Sequence, residues 1–294
     1  MAKLIDYHEI NDVFDGPPVV YKFRSWNDGD NNEVNRIITH RTIRMSSPGQ
    51  LLADYPECIL PYDFENVKES DLQEVAIYHA KHDHPNASPD ELVRIAANKR
   101  RRMKIFDKQN QRETISYYNN LLYECTGIFC TSYDCQSAVA WETLGCMGSN
   151  YAVGFNTTAL FKVDGVSGSA GYVRYYPAGN PPKLLPWSLS EEERLEKVDL
   201  TLRSVPDTYE NESEYRFVCS NYCPRTLEPV PFTQEGRHIE IPLHAYKCII
   251  LGDSMEKQDR EEVIEATKRS LPGIPILATI WDKKLDQFRL DEIE

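Results

Sequence analysis

Between Ser70 and Glu124 the apolar residues recur at helical spacing, whereas on either side they fall into short runs of β-formers. A chain interrupted in this way must combine a sheet with a block of helices. Leu72, Val75, Ala76 and Tyr78 or His79 keep the helical rhythm up to Pro85, behind Ser70 and Gln73 at capping-box spacing. Ser88-Pro89-Asp90-Glu91 then supplies an N-cap hydroxyl, a proline at the first helical position and acids in the first turn. Leu92, Ile95, Ala96, Met103, Phe106, Ile115, Tyr118, Leu121 and Leu122 continue the pattern. The segment reads as a helical insertion of about 50 residues, over 70–124.

Outside it, strands are predicted from Val19 to Arg24, Thr42 to Ser46, Ile128 to Ser132, Tyr151 to Phe155, Gly171 to Tyr176, Glu214 to Ser220, His238 to Leu243 and Tyr246 to Leu251. A short helix is expected within Asn31 to Thr39, and another from Ser190 to Arg203. Glu256 to Ser270 is an amphipathic helix between the strand ending at Leu251 and further strands at Ile274 to Trp281 and Phe288 to Leu290. The expected fold is α+β: a central mixed or antiparallel sheet, the helical insertion, and a C-terminal strand-helix-strand unit. No clean linker divides the chain, so residues 1–294 read as one domain. No repeat of 20–50 residues appears, which excludes solenoids and propellers.

Composition narrows the function classes. The 294 residues carry 46 Asp and Glu against 33 Lys and Arg, a formal charge of −13. Broad phosphate-binding surfaces need the opposite sign, so extended nucleic-acid binding is not expected, although a small basic pocket is compatible. No run reaches the ~18 apolar residues of a membrane span. The start MAKLIDYHEI places acids where a signal peptide needs an apolar stretch, and the expected location is cytoplasmic. The eight cysteines accordingly read as thiols. They contain no C-x-x-C, only Cys125-x4-Cys130-x4-Cys135 and Cys219-x3-Cys223, a weak metal pattern, and Cys130 lies in an apolar run.

Three clusters of polar residues could carry chemistry. His79, His82, Asp83 and His84 could contribute to a metal site, against the simpler reading of a solvated helix end. Lys99-Arg100-Arg101-Arg102-Met103-Lys104 is the dense basic run. Without interleaved aromatics it reads as a solvated helix face or a patch paired with acids. There is no nucleophile elbow, P-loop or dinucleotide-binding glycine turn, and Gly165-x-x-Gly168-x-x-Gly171 reads as a flexible loop. The third cluster is Glu212, Glu214 and Arg216, which period-two alternation puts on one side of a strand with Tyr215 and Phe217 on the other. Such a stripe can hold a ribose or stabilise a developing cation; it can equally be a salt-bridged sheet face.

Several stretches in order resemble a bacterial family known as domain of unknown function 2971. Tyr21-Lys22-Phe23-Arg24-Ser25 is similar to its opening strand, and Met45-Ser46-Ser47-Pro48 to its second. Asp54 and Glu57 keep the acids of its Asn-Asp-Pro-x-Glu motif. Phe129-Cys130-Thr131-Ser132, Trp141 and Val153-Gly154-Phe155 follow its Phe-Ser strand, Trp and Gly-Phe strand. Its Glu-x-Glu-Tyr-Arg is present as Glu212, Glu214, Tyr215 and Arg216, and Ile249-Ile250-Leu251-Gly252 begins its C-terminal unit. The family's His-x-Gly is replaced by Gly148-Ser149-Asn150. From that order Tyr21, Lys22, Asp54, Glu57, Ser132, Trp141 and Arg216 are expected around a substrate. More loosely, Arg24, Ser46 and Glu212-x-Glu214 resemble the order of catalytic residues in ADP-ribosyltransferases. That likeness implies that Arg24 grips the phosphates of NAD, Ser46 orients the nicotinamide side, and Glu214 binds the ribose and stabilises the oxocarbenium-like cation.

Three readings follow. The chain is an NAD-consuming ADP-ribosyltransferase-like transferase or glycohydrolase, a toxin or phage-defence effector whose partner would be an antitoxin or another defence protein. Alternatively it is a non-catalytic binding or sensing module for a small molecule or protein. The third is a metal-dependent nuclease or hydrolase using Asp54, Glu57 and the histidine cluster, although no metal is expected from the stronger motifs.

Overall fold

A computed structural model describes residues 16–26, 35–54, 60–102, 107–145, 149–166, 168–187, 190–221 and 229–293, excepting the side chains of 52–54, 118, 191, 194 and 195. The fold is α+β, and the chain divides into two compact units.

The first unit comprises Met1–Ser47, Thr126–Val173 and Thr208–Glu294. Its centre is an eight-stranded mixed sheet. The strands are β1 (Val19–Arg24), β3 (Thr126–Ser132), β4 (Tyr151–Asn156), β5 (Ser169–Tyr172), β8 (Glu214–Ser220), β10 (Tyr246–Leu251), β11 (Ile276–Asp282) and β12 (Gln287–Glu292). They lie in the order β12-β11-β10-β4-β1-β3-β8-β5. β10 and β11 are parallel and are joined through helix α9 (Lys257–Ser270), giving the expected C-terminal strand-helix-strand unit. The neighbours of β1 are both antiparallel to it. β2 (Thr42–Arg44) pairs separately with β9 (His238–Glu240).

Because successive side chains alternate across a strand, the sheet buries two different apolar layers. On one face Val20, Phe129, Val153, Phe155, Tyr215, Phe217, Ile249 and Leu251 pack with Ile37 and Ile38 of α1 (Arg36–Thr39) and with Val263 and Ala266 of α9. On the other, Phe23, Ala152, Cys248 and Ile250 pack with Ala140 and Trp141 of α6 (Ala138–Thr143). α6 begins where Ser137 accepts the Ala140 N–H, and α7 (Thr157–Phe161) where Asn156 accepts that of Ala159, at 2.8 Å. Both are single short turns whose apolar spacing is too brief to announce a helix.

The second unit comprises Pro48–Cys125 and Arg174–Asp207, so residues 70–124 fall within it. It holds α2 (Pro48–Asp54), α3 (Glu69–Asp83), α4 (Pro89–Arg102), α5 (Lys108–Cys125), α8 (Glu191–Arg203), and the parallel pair β6 (Arg174–Tyr176) and β7 (Ser204–Pro206). Pro48 opens α2, as a first-turn proline can, where the Ser-Pro-Gly triplet alone suggests a stop. α3 and α4 pack through Ala76, Ala80 and Ala96. Ser88 caps α4 as expected: its backbone N–H and hydroxyl both donate to Glu91 at 2.9 Å, and its Oγ accepts the Glu91 N–H at 3.4 Å. Ser88→Ala is expected to lower the stability of this unit by about 1 kcal/mol in urea unfolding. Two residues of the basic run turn onto α3, Lys99 donating to Asp83 at 2.5 Å and Arg100 pairing with Glu69 and Gln73, while Arg101 and Arg102 are exposed.

Three differences from the expected elements concern the site. Gly171 to Tyr176 is two strands, β5 and β6, in different sheets. Glu212 ends a 3-10 helix (Asp207–Glu212), and Ser213, at φ 49°, separates it from β8. Gly168 is held close rather than left flexible. A Cβ there would collide with the Val218 carbonyl oxygen and lie 2.9 Å from Cys219 Cα.

Candidate functional site

Where β1, β3 and β8 lie side by side, the sheet opens into a cavity of about 200 Å³ in the first unit, lined by Tyr21, Lys22, Phe23, Arg24, Cys130, Thr131, Ser132, Leu144, Glu212 and Glu214. Register explains the carboxylate side of the gathering, whereas Lys22 and Arg24 alternate to the other side of β1, with Val20. Tyr21 pairs with Ser132 across β1 and β3, Ser132 with Glu214 across β3 and β8, and Cys130 with Arg216. Directly opposed residues share a face, so Tyr21, Ser132, Cys130, Glu214 and Arg216 project to the same side of the sheet. The strand pairing thus brings together residues more than a hundred positions apart.

Glu214 and Arg216 form its fixed element. Arg216 Nε and an outer guanidinium nitrogen each donate to one Glu214 oxygen at 2.8 Å, and the two residues are only 5–9 % exposed. Such a bidentate pair ties up both carboxylate oxygens. Burial opposes ionisation of Glu214, but the charge and hydrogen bonds of Arg216, helped by the Cys130 thiol and Lys22, hold its pKa below the usual carboxylate value. Cys130 donates its S–H to Glu214. Burial first, then the Glu214 charge, push that thiol up to about 12, so it stays protonated and is a donor rather than a nucleophile.

Lys22 and Glu212 are less firmly engaged. Lys22 Nζ donates to the Cys130 carbonyl at 2.8 Å and lies 5.5 Å from the centroid of the Phe129 ring. Burial and the nearby Arg24 charge push its ammonium down to about 8, while Cys130, Glu214 and Glu212 pull the other way. Glu212 has no hydrogen-bond partner among the described residues. Burial, followed by repulsion from Glu214, raises its pKa. Burial thus moves both groups toward their uncharged forms, the amine down and the carboxyl up. Tyr21 is held protonated by burial and by its hydrogen bond with Cys135.

Of the residues expected from sequence, Tyr21, Lys22, Arg24, Ser132, Glu212 and Glu214 line this cavity, and Arg216 clamps Glu214 from behind. Ser46 does not reach it. It exchanges backbone hydrogen bonds with Ile128, two residues along β3 from Cys130, where the lining begins, or about 7 Å at the rise of a strand. Trp141 does not line it either. The indole is 1 % exposed, donates to the Cys135 carbonyl at 2.8 Å and packs edge-on against Phe23 and Phe288. The Asp54 side chain, Glu57 and Gly148 lie outside the described residues.

Cys130 and Thr131 are cavity residues that sequence reasoning passed over. The available signal was their place between Phe129 and Ser132, but the partner of Cys130 is known only from the β3–β8 register. The histidine cluster lies elsewhere: His82 faces Asp83 at 3.3 Å, and Asp83 is taken by Lys99. Among the described residues no group of three or more His, Cys, Asp or Glu is placed to hold a metal ion. No described helix is long and apolar enough to cross a membrane.

Comparison with known proteins adds no assignment: no family model, no curated protein and no solved structure matches this chain.

Proposed function

We propose that the chain is an NAD-consuming transferase or glycohydrolase working from the β1–β3–β8 cavity. The observation that supports this reading is the convergence there of Arg24, Glu212 and Glu214. Arg24 would hold the diphosphate. Glu214, its oxygens bound to Arg216, would position the strand end rather than act on substrate, leaving Glu212 as the carboxylate for the chemistry. As the glycosidic C–N bond breaks, its electron pair leaves with nicotinamide, and the cation at the ribose carbon is stabilised by the Glu212 carboxylate. Water or an acceptor nucleophile then adds to that carbon and gives its proton to Glu212. Without Ser46, the nicotinamide side would be oriented by Ser132 and Tyr21. The cavity is smaller than the ~300–1,000 Å³ typical of drug-sized ligands, so the far half of the dinucleotide would lie outside it. In a cell such an activity suits a toxin or defence effector of the uncharacterised family whose motifs it resembles, with an antitoxin as partner.

Nicotinamide release from NAD, with and without candidate macromolecular acceptors, tests the proposal. Glu212→Gln is expected to lower the rate by about 100-fold while leaving the fold intact, as loss of a general base does. Absence of any nicotinamide release by the unmodified protein would sink it. A binding or sensing module is then the second reading, favoured by the small cavity, which Ser46 does not line. Calorimetric binding of NAD or ADP-ribose without turnover would support that reading.

A further inference from the structure

We infer that Lys22 is a carbonyl-reactive amine and that the cavity takes an anionic aldehyde, captured by Lys22 as an imine while Arg24 holds the anionic group. The inference is independent of the NAD reading, since it requires no dinucleotide and no glycosidic bond.

Its basis is the placement of four groups. Lys22 and Arg24 are two residues apart on β1, so they share a strand side with Cα atoms about 7 Å apart. That span suits a short molecule bearing a carbonyl at one end and a phosphate or carboxylate at the other. The Cys130 carbonyl fixes Lys22 Nζ at the cavity wall, 2.8 Å away, and the Phe129 ring shields it from one side. Glu212 lines the same cavity with its carboxylate uncommitted among the described residues. Glu214 is held by Arg216 through both oxygens at 2.8 Å, which fixes the carboxylate wall of the cavity.

The chemistry needs an amine that is neutral part of the time. With its pKa pushed down to about 8 by burial and by Arg24, roughly a tenth of Lys22 is neutral at pH 7, against fewer than about one in a thousand for an ordinary lysine. Desolvation beside a second cation is a known way to activate lysine for imine formation. The step balances without an external oxidant or reductant. The amine lone pair adds to the carbonyl carbon, and one N–H proton passes through Glu212 to the carbonyl oxygen, which becomes a hydroxyl. Glu212 then takes the second N–H proton and delivers it to that hydroxyl, so water leaves and a neutral C=N bond remains. Open-chain sugar phosphates belong to the substrate class, as does ADP-ribose in its aldehyde form.

Pyridoxal 5′-phosphate is a probe with both features. The full chain is incubated with one equivalent, reduced with borohydride, and mapped by peptide mass spectrometry. Expected is a single dominant adduct on Lys22, at least about tenfold above exposed lysines such as Lys247 and Lys257. It should fall by about tenfold when pyridoxal replaces its phosphate ester or when Arg24 is changed to Gln, the worth of one charge-assisted contact. Lys22→Arg, which keeps the charge, should abolish the adduct while circular dichroism stays unchanged. Adducts confined to exposed lysines in the unmodified protein would overturn the inference, whether or not the variants fold. Equal labelling by pyridoxal and its phosphate would overturn the role of Arg24. Nicotinamide release, measured separately, reports on the NAD reading alone.

Discussion

Replacing Arg216 with Met is expected to cost about 3–5 kcal/mol of stability, because it leaves the buried Glu214 carboxylate without its counter-ion. Chemical denaturation of Arg216→Met against the unmodified chain measures this directly. The Glu214→Gln/Arg216→Met double variant should recover a large part of the loss, since it removes both charges instead of stranding one. The pH dependence follows with opposite signs. In the unmodified chain Glu214 is held below the usual carboxylate value. Its contribution is therefore present above the unfolded glutamate pKa and is lost as pH falls through the folded one. In Arg216→Met, burial and the Glu212 charge would raise the same group, so acidification toward pH 5 should protonate it and regain stability. A single variant as stable as the double one, with no change in pH slope, would show that the pair contributes little.

The same pair shows how far the sequence could be read. Period-two alternation put Glu214 and Arg216 on one face of a strand with Tyr215 and Phe217 opposite, and β8 has that arrangement from its first residue. Local chemistry at Ser88 was equally legible, because a cap involves residues within one turn. Glu212 was placed in the strand and lies instead on a 3-10 turn. The reversal happens at Ser213, at φ 49°, a conformation its residue type does not advertise. Ser46 and Trp141 were expected at the site from their order along the chain. Order does not give register. Ser46 pairs with Ile128, two residues short of the cavity-lining Cys130, and the indole satisfies its N–H within the core. Cys130 read as a buried thiol, which is right for its burial but omits the carboxylate 84 residues away to which it donates. Contacts within a turn or a strand are encoded locally, whereas the cavity depends on which strands become neighbours.

Trp141→Ala is expected to destabilise the protein by about 3–5 kcal/mol, the usual cost of emptying a buried aromatic site. The indole fills the layer between Phe23 of β1 and Phe288 of β12, with ring centroids 4.9 and 6.1 Å away. Removing it would create a cavity beneath the central strands and strand the Cys135 carbonyl. Trp141→Phe keeps most of the ring and loses only the 2.8 Å hydrogen bond, so it should cost nearer 1–2 kcal/mol. The two variants thus separate packing from hydrogen bonding in the same denaturation experiment. They also separate core from recognition. Since Trp141 lies outside the cavity, Trp141→Phe should leave pyridoxal phosphate labelling of Lys22 unchanged within about twofold, the size of a small packing relaxation. Trp141→Ala reaches the cavity through Phe23, on which the indole packs, and through Leu144, which follows α6; both line it. A variant that kept its stability but lost labelling would return the indole to the binding surface, and with it the role that the order of motifs implied.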